Sequence, residues 1–182
     1  ARLKRLAETL EILRRLWSDE GMVSYEGKHF RLHDAVCRPR PLQRPRPPIW
    51  IGGRGEKVLL RLVARYADVW NYNGSQEEFA YYRNILKEHC LVVGRDFEEI
   101  KITAVSGGIA FNSAAEHERF FQRIAPQGFS AEMLLNFVSC HGTRERCAEF
   151  LYAWKKLGVD GLVFYFNDIA SFGAGDAQAE IF

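Results

Sequence analysis

The sequence predicts an α/β protein built on a parallel sheet, and three observations lead there. From Pro48 onward, strand-like and helix-like segments alternate four times. Each strand-like segment is apolar along its whole length instead of at every second residue, the pattern of a strand covered on both faces. Each also ends in glycine or polar residues unlike its body, as strands do where a sheet presents its ligand-facing end. Such a chain assembles by right-handed crossovers. Two architectures satisfy the pattern equally: a doubly wound sheet and part of a (β/α)8 barrel.

Residues 2–18 read as an amphipathic helix, with Leu3, Leu6, Leu10, Leu13 and Trp17 on one stripe and Ile12 and Leu16 beside it. Over 22–36, Val23, Tyr25, Phe30, Leu32 and Val36 alternate loosely, which predicts a short hairpin turning near Glu26-Gly27. Arg38 to Pro48 holds five of the six prolines, so helix is excluded and an extended path is expected. A basic proline-rich run suits a groove-binding peptide ligand, a phosphate-binding arm or a stiff connector. The apolar strand that starts directly after Pro48 favours the connector.

The first strand is Ile49-Trp50-Ile51, stopped by Gly52-Gly53. Glu56–Tyr66 follows as a helix with Val58, Leu59, Leu62 and Val63 inward. Asp68–Tyr72 is the second strand. Ser75 caps the next helix, Glu78 completes a capping box, and Gly94 ends the helix after Val93. Ile100–Val105 is the third strand, running into Ser106-Gly107-Gly108. Ser113–Ile124 is a helix, and a further helix is expected at 130–138. Thr143 caps another helix, which Gly158 closes, and Gly161–Phe166 is the fourth strand. Helical pattern is already present at residue 2 and returns over Asp176–Phe182, so the chain is expected to begin and stop inside a fold.

The 182 residues suffice for one domain with a sizeable core, and 47% hydrophobic with 26% charged residues is ordinary globular composition. A net charge of +2 gives no reason to expect a nucleic-acid or membrane partner. No apolar run approaches the ~18 residues that span a bilayer, and no apolar stretch of signal-peptide type follows Ala1. Cys37, Cys90, Cys140 and Cys147 form no C-x-x-C pair, so free thiols in a reducing, cytoplasmic setting are expected. The spacing of Cys140, His141 and Cys147 fits no common zinc pattern, and no metal is expected.

Candidate chemistry gathers at the four strand tips: Gly52-Gly53-Arg54-Gly55, Asn71-Tyr72-Asn73-Gly74, Ser106-Gly107-Gly108 and Tyr165-Phe166-Asn167-Asp168. The glycine run after the first strand is the sharpest. Glycine lets backbone approach a ligand closely, and a following helix offers N–H groups and a positive dipole end to a phosphate. Arg54 and Lys57 add charge. The run matches neither G-x-G-x-x-G nor a P-loop, and a simple capping turn is the competing reading. Asn73 suits ordinary turn chemistry before Gly74, whereas Asn71 lies inside the strand. Trp50, Trp70, Tyr165 and Phe166 either wall a flat ring or fill the core, and core suits the tryptophans better. His89 and His117 fall on helices and are expected to face solvent, leaving His141 as a weak pocket candidate. No nucleophile–base arrangement and no pair of carboxylates marks a catalytic centre.

Several blocks, in order and spacing, resemble the luciferase-like monooxygenase superfamily. They are Leu6-Ala7-Glu8-Thr9-Leu10-Glu11-Ile12-Leu13, Tyr25-Glu26-Gly27-Lys28-His29-Phe30, Pro47-Pro48-Ile49-Trp50-Ile51-Gly52-Gly53, Tyr66-Ala67-Asp68-Val69-Trp70-Asn71, Glu88-His89-Cys90 with Val93-Gly94-Arg95-Asp96, and Gly158-Val159-Asp160-Gly161. The Val-Gly-Arg-Asp segment is most similar to the branch dependent on coenzyme F420. The resemblance implies a (β/α)8 TIM-barrel fold, here a partial barrel, with residues 49–53, 68–72, 100–106 and 161–166 as its fifth to eighth strands. The chain is then one domain, the C-terminal half of such a barrel. It comprises a helix over 1–18, a hairpin and connector over 19–48, and four strand–helix units over 49–182.

The same resemblance implies that Gly52, Gly53 and Arg54 lie near the cofactor phosphate or its ribityl chain, with Asn71, Tyr72 and Asn73 beside them. Residues 107–142 would shape the substrate pocket. The catalytic acid or base is expected in the first four strands, which this chain lacks. The implied activity is hydride transfer between reduced F420 and a small organic substrate. The alternatives are an FMN-dependent monooxygenase using oxygen and a non-catalytic flavin-binding half-barrel or paralogue. A half-barrel has open strand edges, so inactivity alone and assembly into a homo-oligomer are expected.

Overall fold

The structure is a computed structural model that describes residues 2–18, 21–124 and 139–165. The chain divides into two compact units, residues 1–70 with 81–100, and residues 71–80 with 101–182.

In the first unit, α1 (Arg2–Trp17) buries Leu10 and Ile12. The expected hairpin follows as β1 (Val23–Glu26) and β2 (Arg31–Ala35), paired antiparallel. Glu8 holds its loop. The carboxylate accepts from the backbone N–H groups of Lys28 (3.1 Å), His29 (2.8 Å) and Phe30 (3.1 Å). Burial pushes the Glu8 carboxyl up, but these donors and the His29 charge outweigh it and hold the carboxyl below its usual range. A Cβ on Gly27 would collide with that carboxylate and with the Tyr25 ring, so the turn requires glycine.

β3 (Trp50–Gly52) begins after the proline-rich connector. It is an edge strand and is not covered on both faces as expected: Ile51 is buried, while Trp50 is 52% exposed. α2 is Leu59–Tyr66, with residues 56–58 forming a turn where the first part of a helix was expected. The later start moves the inner face to Leu60, Leu62, Val63 and Ala64 and leaves Val58 outside. Arg95 closes α2 by donating to the Ala64 and Ala67 carbonyls at 3.2 and 2.7 Å.

β4 (Val69–Tyr72) starts in the first unit beside β3 and ends in the second. It is covered on both faces, with Val69, Trp70 and Tyr72 all buried. α3 (Gln76–Val93) likewise starts in the second unit and continues in the first. Ser75 caps it by accepting from Glu78 N–H at 3.3 Å, and Gly94 ends it at φ +69°.

In the second unit β5 runs for 11 residues, Lys101–Phe111, well past the expected end at Val105. Its first part pairs parallel with β7 (Gly161–Tyr165), from Thr103 opposite Gly161 to Gly107 opposite Tyr165. Its second part pairs parallel with β6 (Cys140–Thr143), from Gly108 opposite Cys140 to Phe111 opposite Thr143. Ser106-Gly107-Gly108 is therefore not a strand tip. It is the point where β5 changes partners, and β6 supplies the hydrogen bonds that keep the strand going. β6 falls in the stretch whose pattern predicted no strand. The helix expected at 130–138 lies outside the described residues, as do Phe166, Asn167 and Asp168.

α4 (Ala114–Ile124) is capped by Ser113, which accepts from Glu116 N–H at 3.2 Å. α5 (Arg144–Lys156) follows β6 directly and ends before Gly158 at φ +83°. Tyr72, Phe79 and Trp154 meet edge-to-face at ring-centre distances of 5.2–6.1 Å, and all three are buried. Among the described residues the strands do not close a barrel, and no helix is long and apolar enough to cross a membrane.

Asp68 stands where β3 and β4 begin. Burial pushes its carboxyl up. Hydrogen bonds from Arg46 and from Ile49 N–H (2.6 Å), with the charges of Arg46 and Arg95, outweigh burial and lower it. A depressed carboxyl contributes stability above its unfolded value and loses it as pH falls through the folded one. Urea unfolding should therefore show stability declining below about pH 4. Asp68→Asn should cost about 1–3 kcal/mol at pH 7 and should flatten that acid limb.

Candidate cofactor site

Gly52, Gly53 and Arg54 follow β3 in the first unit. Gly53 takes φ +116°, a region that disfavours any side chain, and a Cβ there would lie 2.7 Å from Leu59 Cδ2. Gly55 is nearly as tight, at 3.2 Å from Leu59 Cβ. The turn is thus folded down onto the first residue of α2. Trp70, fully buried in β4, donates its indole N–H to the Gly53 carbonyl at 2.8 Å. Arg54 is exposed, with its guanidinium 5.5 Å from the Tyr82 ring centre.

The expected direct passage from glycine turn to helix is corrected: α2 starts six residues after Gly53. Val58 occupies its N-cap position and gives no side-chain hydrogen bond. What the turn itself offers an anion is backbone without side chains and the Arg54 charge.

Asn71, Tyr72 and Asn73 lie in the second unit. The Tyr72 side chain is committed to the core, and its hydroxyl donates to the Ser75 carbonyl at 3.0 Å. Its backbone, not its ring, is what remains for a ligand. Asn73 is exposed beyond the strand. Asn71 is half-buried, and its Oδ1 accepts from the Thr103 hydroxyl at 2.9 Å. Thr103 was not anticipated. The one signal for it is a hydroxyl inside the apolar run Ile102–Val105, and its partner lies 32 residues away.

The tryptophans part company: Trp70 is core, as expected, whereas Trp50 is half-exposed. Neither helical histidine simply faces solvent. His89 Nε2 lies 2.7 Å from the Glu56 carbonyl. His117 stacks on His141 with rings 12° from parallel and nitrogens 3.2 Å apart, and Phe111 meets its edge. Cys140 and Cys147 are buried thiols, and burial pushes both up, away from the reactive thiolate. Among the described residues no group of three His, Cys, Asp or Glu is placed to hold a metal.

Parallel strands alternating with helices define an α/β chain of the TIM-barrel kind. The chain belongs to the luciferase-like monooxygenase family, whose model matches residues 1–123. It is 25% identical over 207 residues to the FMNH(2)-dependent dimethylsulfone monooxygenase of Pseudomonas putida, covering 94% of this chain and 56% of that protein. It is 30% identical over 137 residues to the F420-dependent glucose-6-phosphate dehydrogenase of Microbacterium testaceum, covering 72% and 39%. The chain therefore spans little more than half the length of the first relative and less of the second. Among solved structures it superposes on an F420-dependent secondary alcohol dehydrogenase bound to an F420-acetone adduct. The TM-score is 0.73 at 14% identity, with 90% of this chain and 56% of that one covered, a likeness of fold alone. The family holds oxidoreductases and monooxygenases, with F420- and FMN-dependent members among these relatives.

Two outcomes are expected from these contacts. Trp70→Phe removes the N–H and part of a fully buried ring, leaving the Gly53 carbonyl without its donor and a small cavity, so it should cost about 2–4 kcal/mol of stability, read from denaturant midpoints. The second concerns the histidine pair. Burial, then the Arg146 charge, lowers His117; burial, then His117 and Arg146, lowers His141. The unfolded chain therefore takes up protons first, and stability should fall as pH drops from 7 to 5. Urea midpoints across that range should show a shallower fall in His141→Gln.

Proposed function

We propose that the full-length protein carrying this chain transfers a hydride between reduced coenzyme F420 and a small organic substrate. The observation that carries this reading is the higher identity with the F420-dependent dehydrogenase, 30% across 72% of this chain. The cofactor, when bound, supplies the hydride chemistry; the chain's own residues bind and orient it. Gly52 and Gly53 let a phosphate approach the backbone closely, where a side chain at Gly53 would be strained. Trp70 holds the Gly53 carbonyl back, so the turn keeps one shape. Arg54 contributes a charge-assisted hydrogen bond. Asn71 and Asn73 offer amide donors, and Tyr72 positions the strand end from the core. Thiol cysteines accord with a cytoplasmic location, and an edge strand with an exposed Trp50 accords with assembly of copies.

The second reading is an FMN-dependent monooxygenase using oxygen. It is favoured by the broader coverage of the match to the dimethylsulfone enzyme. Titration of the full-length protein with F420 and with FMN, followed by fluorescence, separates the two. Saturable F420 binding with much weaker FMN binding supports the first, and the reverse supports the second. Binding without turnover points to a non-catalytic relative, and binding of neither removes the cofactor assignment. Arg54→Gln should weaken the preferred cofactor by about three- to tenfold, and by less at high salt, while loss of the Tyr82 contact should cost about 1 kcal/mol of stability or less.

A further inference from the structure

We infer that Thr103 is a positioning residue. It turns the Asn71 carboxamide so that the N–H2 group faces the ligand, and the ligand atom met there is a hydrogen-bond acceptor, a carbonyl or phosphoryl oxygen. The inference rests on the cofactor-site reading of Asn71 and adds which end of its side chain is used.

Trp70 and Tyr72 point to one face of β4 and Asn71 to the other. In the second unit the Tyr72 face carries Phe79 of α3 and Trp154 of α5, so it is the helix-covered face. Asn71 and Thr103 therefore meet on the face opposite those helices. Thr103 is 8% exposed and cannot choose freely where its hydroxyl goes. It is β-branched and so stiff at χ1. Its methyl Cγ2 sits over Gly161, its β7 partner, 3.6 Å from where a Cβ would be. That is ordinary van der Waals distance, so the methyl packs toward β7 and the hydroxyl points at Asn71.

That hydroxyl donates to Asn71 Oδ1 at 2.9 Å. A carboxamide is an acceptor at one end and a double donor at the other. With Oδ1 engaged, Nδ2 is fixed on the far side. No Asn71 amide bond to another described residue occurs, and Nδ2 is not among the buried unpartnered atoms, which are His29 Nε2, Arg83 Nε and Trp154 Nε1. The two N–H donors are thus accessible, on a strand whose other three side chains are buried. An amide in that position is expensive in a core and useful toward a ligand.

The test is a double-mutant cycle on cofactor affinity in the full-length protein, using F420 and FMN as probes, with thermal midpoints measured alongside. Thr103→Val should weaken the bound cofactor about tenfold, and Thr103→Ser should restore it to within about threefold. Thr103→Val should add nothing on top of Asn71→Ala, because both remove the same oriented donor. Asn71→Asp, which offers only acceptors and a charge, should bind worse than Asn71→Ala. Unchanged affinity in Thr103→Val, full additivity with Asn71→Ala, or Asn71→Asp binding as well as the wild type each overturns this inference while leaving the cofactor assignment standing. Failure of the wild type to bind either cofactor overturns both. Should Thr103→Val not fold, a Thr103→Ser variant that folds yet loses binding as fully as Asn71→Ala overturns it.

Discussion

The parallel strands are set in register by an aspartate placed one residue before a strand, and the same device occurs in each unit. Asp68 donates its backbone N–H to the Ile49 carbonyl at 2.9 Å, and its carboxylate accepts from Ile49 N–H at 2.6 Å. Asp160 does the same with Ile102, at 2.8 and 2.7 Å. Each aspartate thereby satisfies both backbone groups of one residue at the start of its neighbouring strand, Ile49 just before β3 and Ile102 second in β5. Parallel ladders are slanted and leave such leading groups without a partner. A one-residue slip would break two bonds and move every side chain to the opposite face. Everything at the strand ends, glycine turn and asparagines alike, inherits its placement from these anchors.

This explains why some blocks were readable. Ala67-Asp68-Val69 and Val159-Asp160-Gly161 are anchors, each written in three consecutive residues. Glu8 and the Tyr25–Phe30 block are two halves of one clasp, since the carboxylate takes the three loop amides that the hairpin leaves unpaired. The hairpin, the Ser75–Gly94 helix and the Gly158 stop were legible because capping and turn chemistry is local. The start of α2 was misread because Glu56-Lys57-Val58 has helical composition. Three residues of turn are needed there for Leu59 to pack under Gly53 and Gly55.

What stayed hidden depended on contacts distant in sequence. Glycines at 107 and 108 look like a stop, and only the arrival of β6 lets β5 continue. β6 itself is four residues long, too short for a periodic signal. Thr103 reads as one polar residue in an apolar run, and its meaning appears only opposite Asn71 and Gly161. Of the candidate residues, the glycines and Asn71 could be picked from local pattern. The commitment of Tyr72 to the core could not, because Phe79 and Trp154 come from two different helices.

The candidate residues also divide the recognition problem. A side-chain-free turn, an arginine and an amide donor all recognise oxygen-rich, electron-rich groups. F420 and FMN both carry a phosphate and ring carbonyls, so under the proposed function these residues suit either. Discrimination between two such cofactors requires contacts that sense the ring atoms in which they differ, and specificity of that kind comes from shape and from polar groups left unpaired by the wrong ligand. Under the proposed function, the glycine turn and Asn71 each supply chemistry that suits an oxygen-rich ligand without choosing between the two cofactors. A fold that hosts F420-dependent and FMN-dependent relatives can keep them unchanged while its selectivity is set by residues facing the ring.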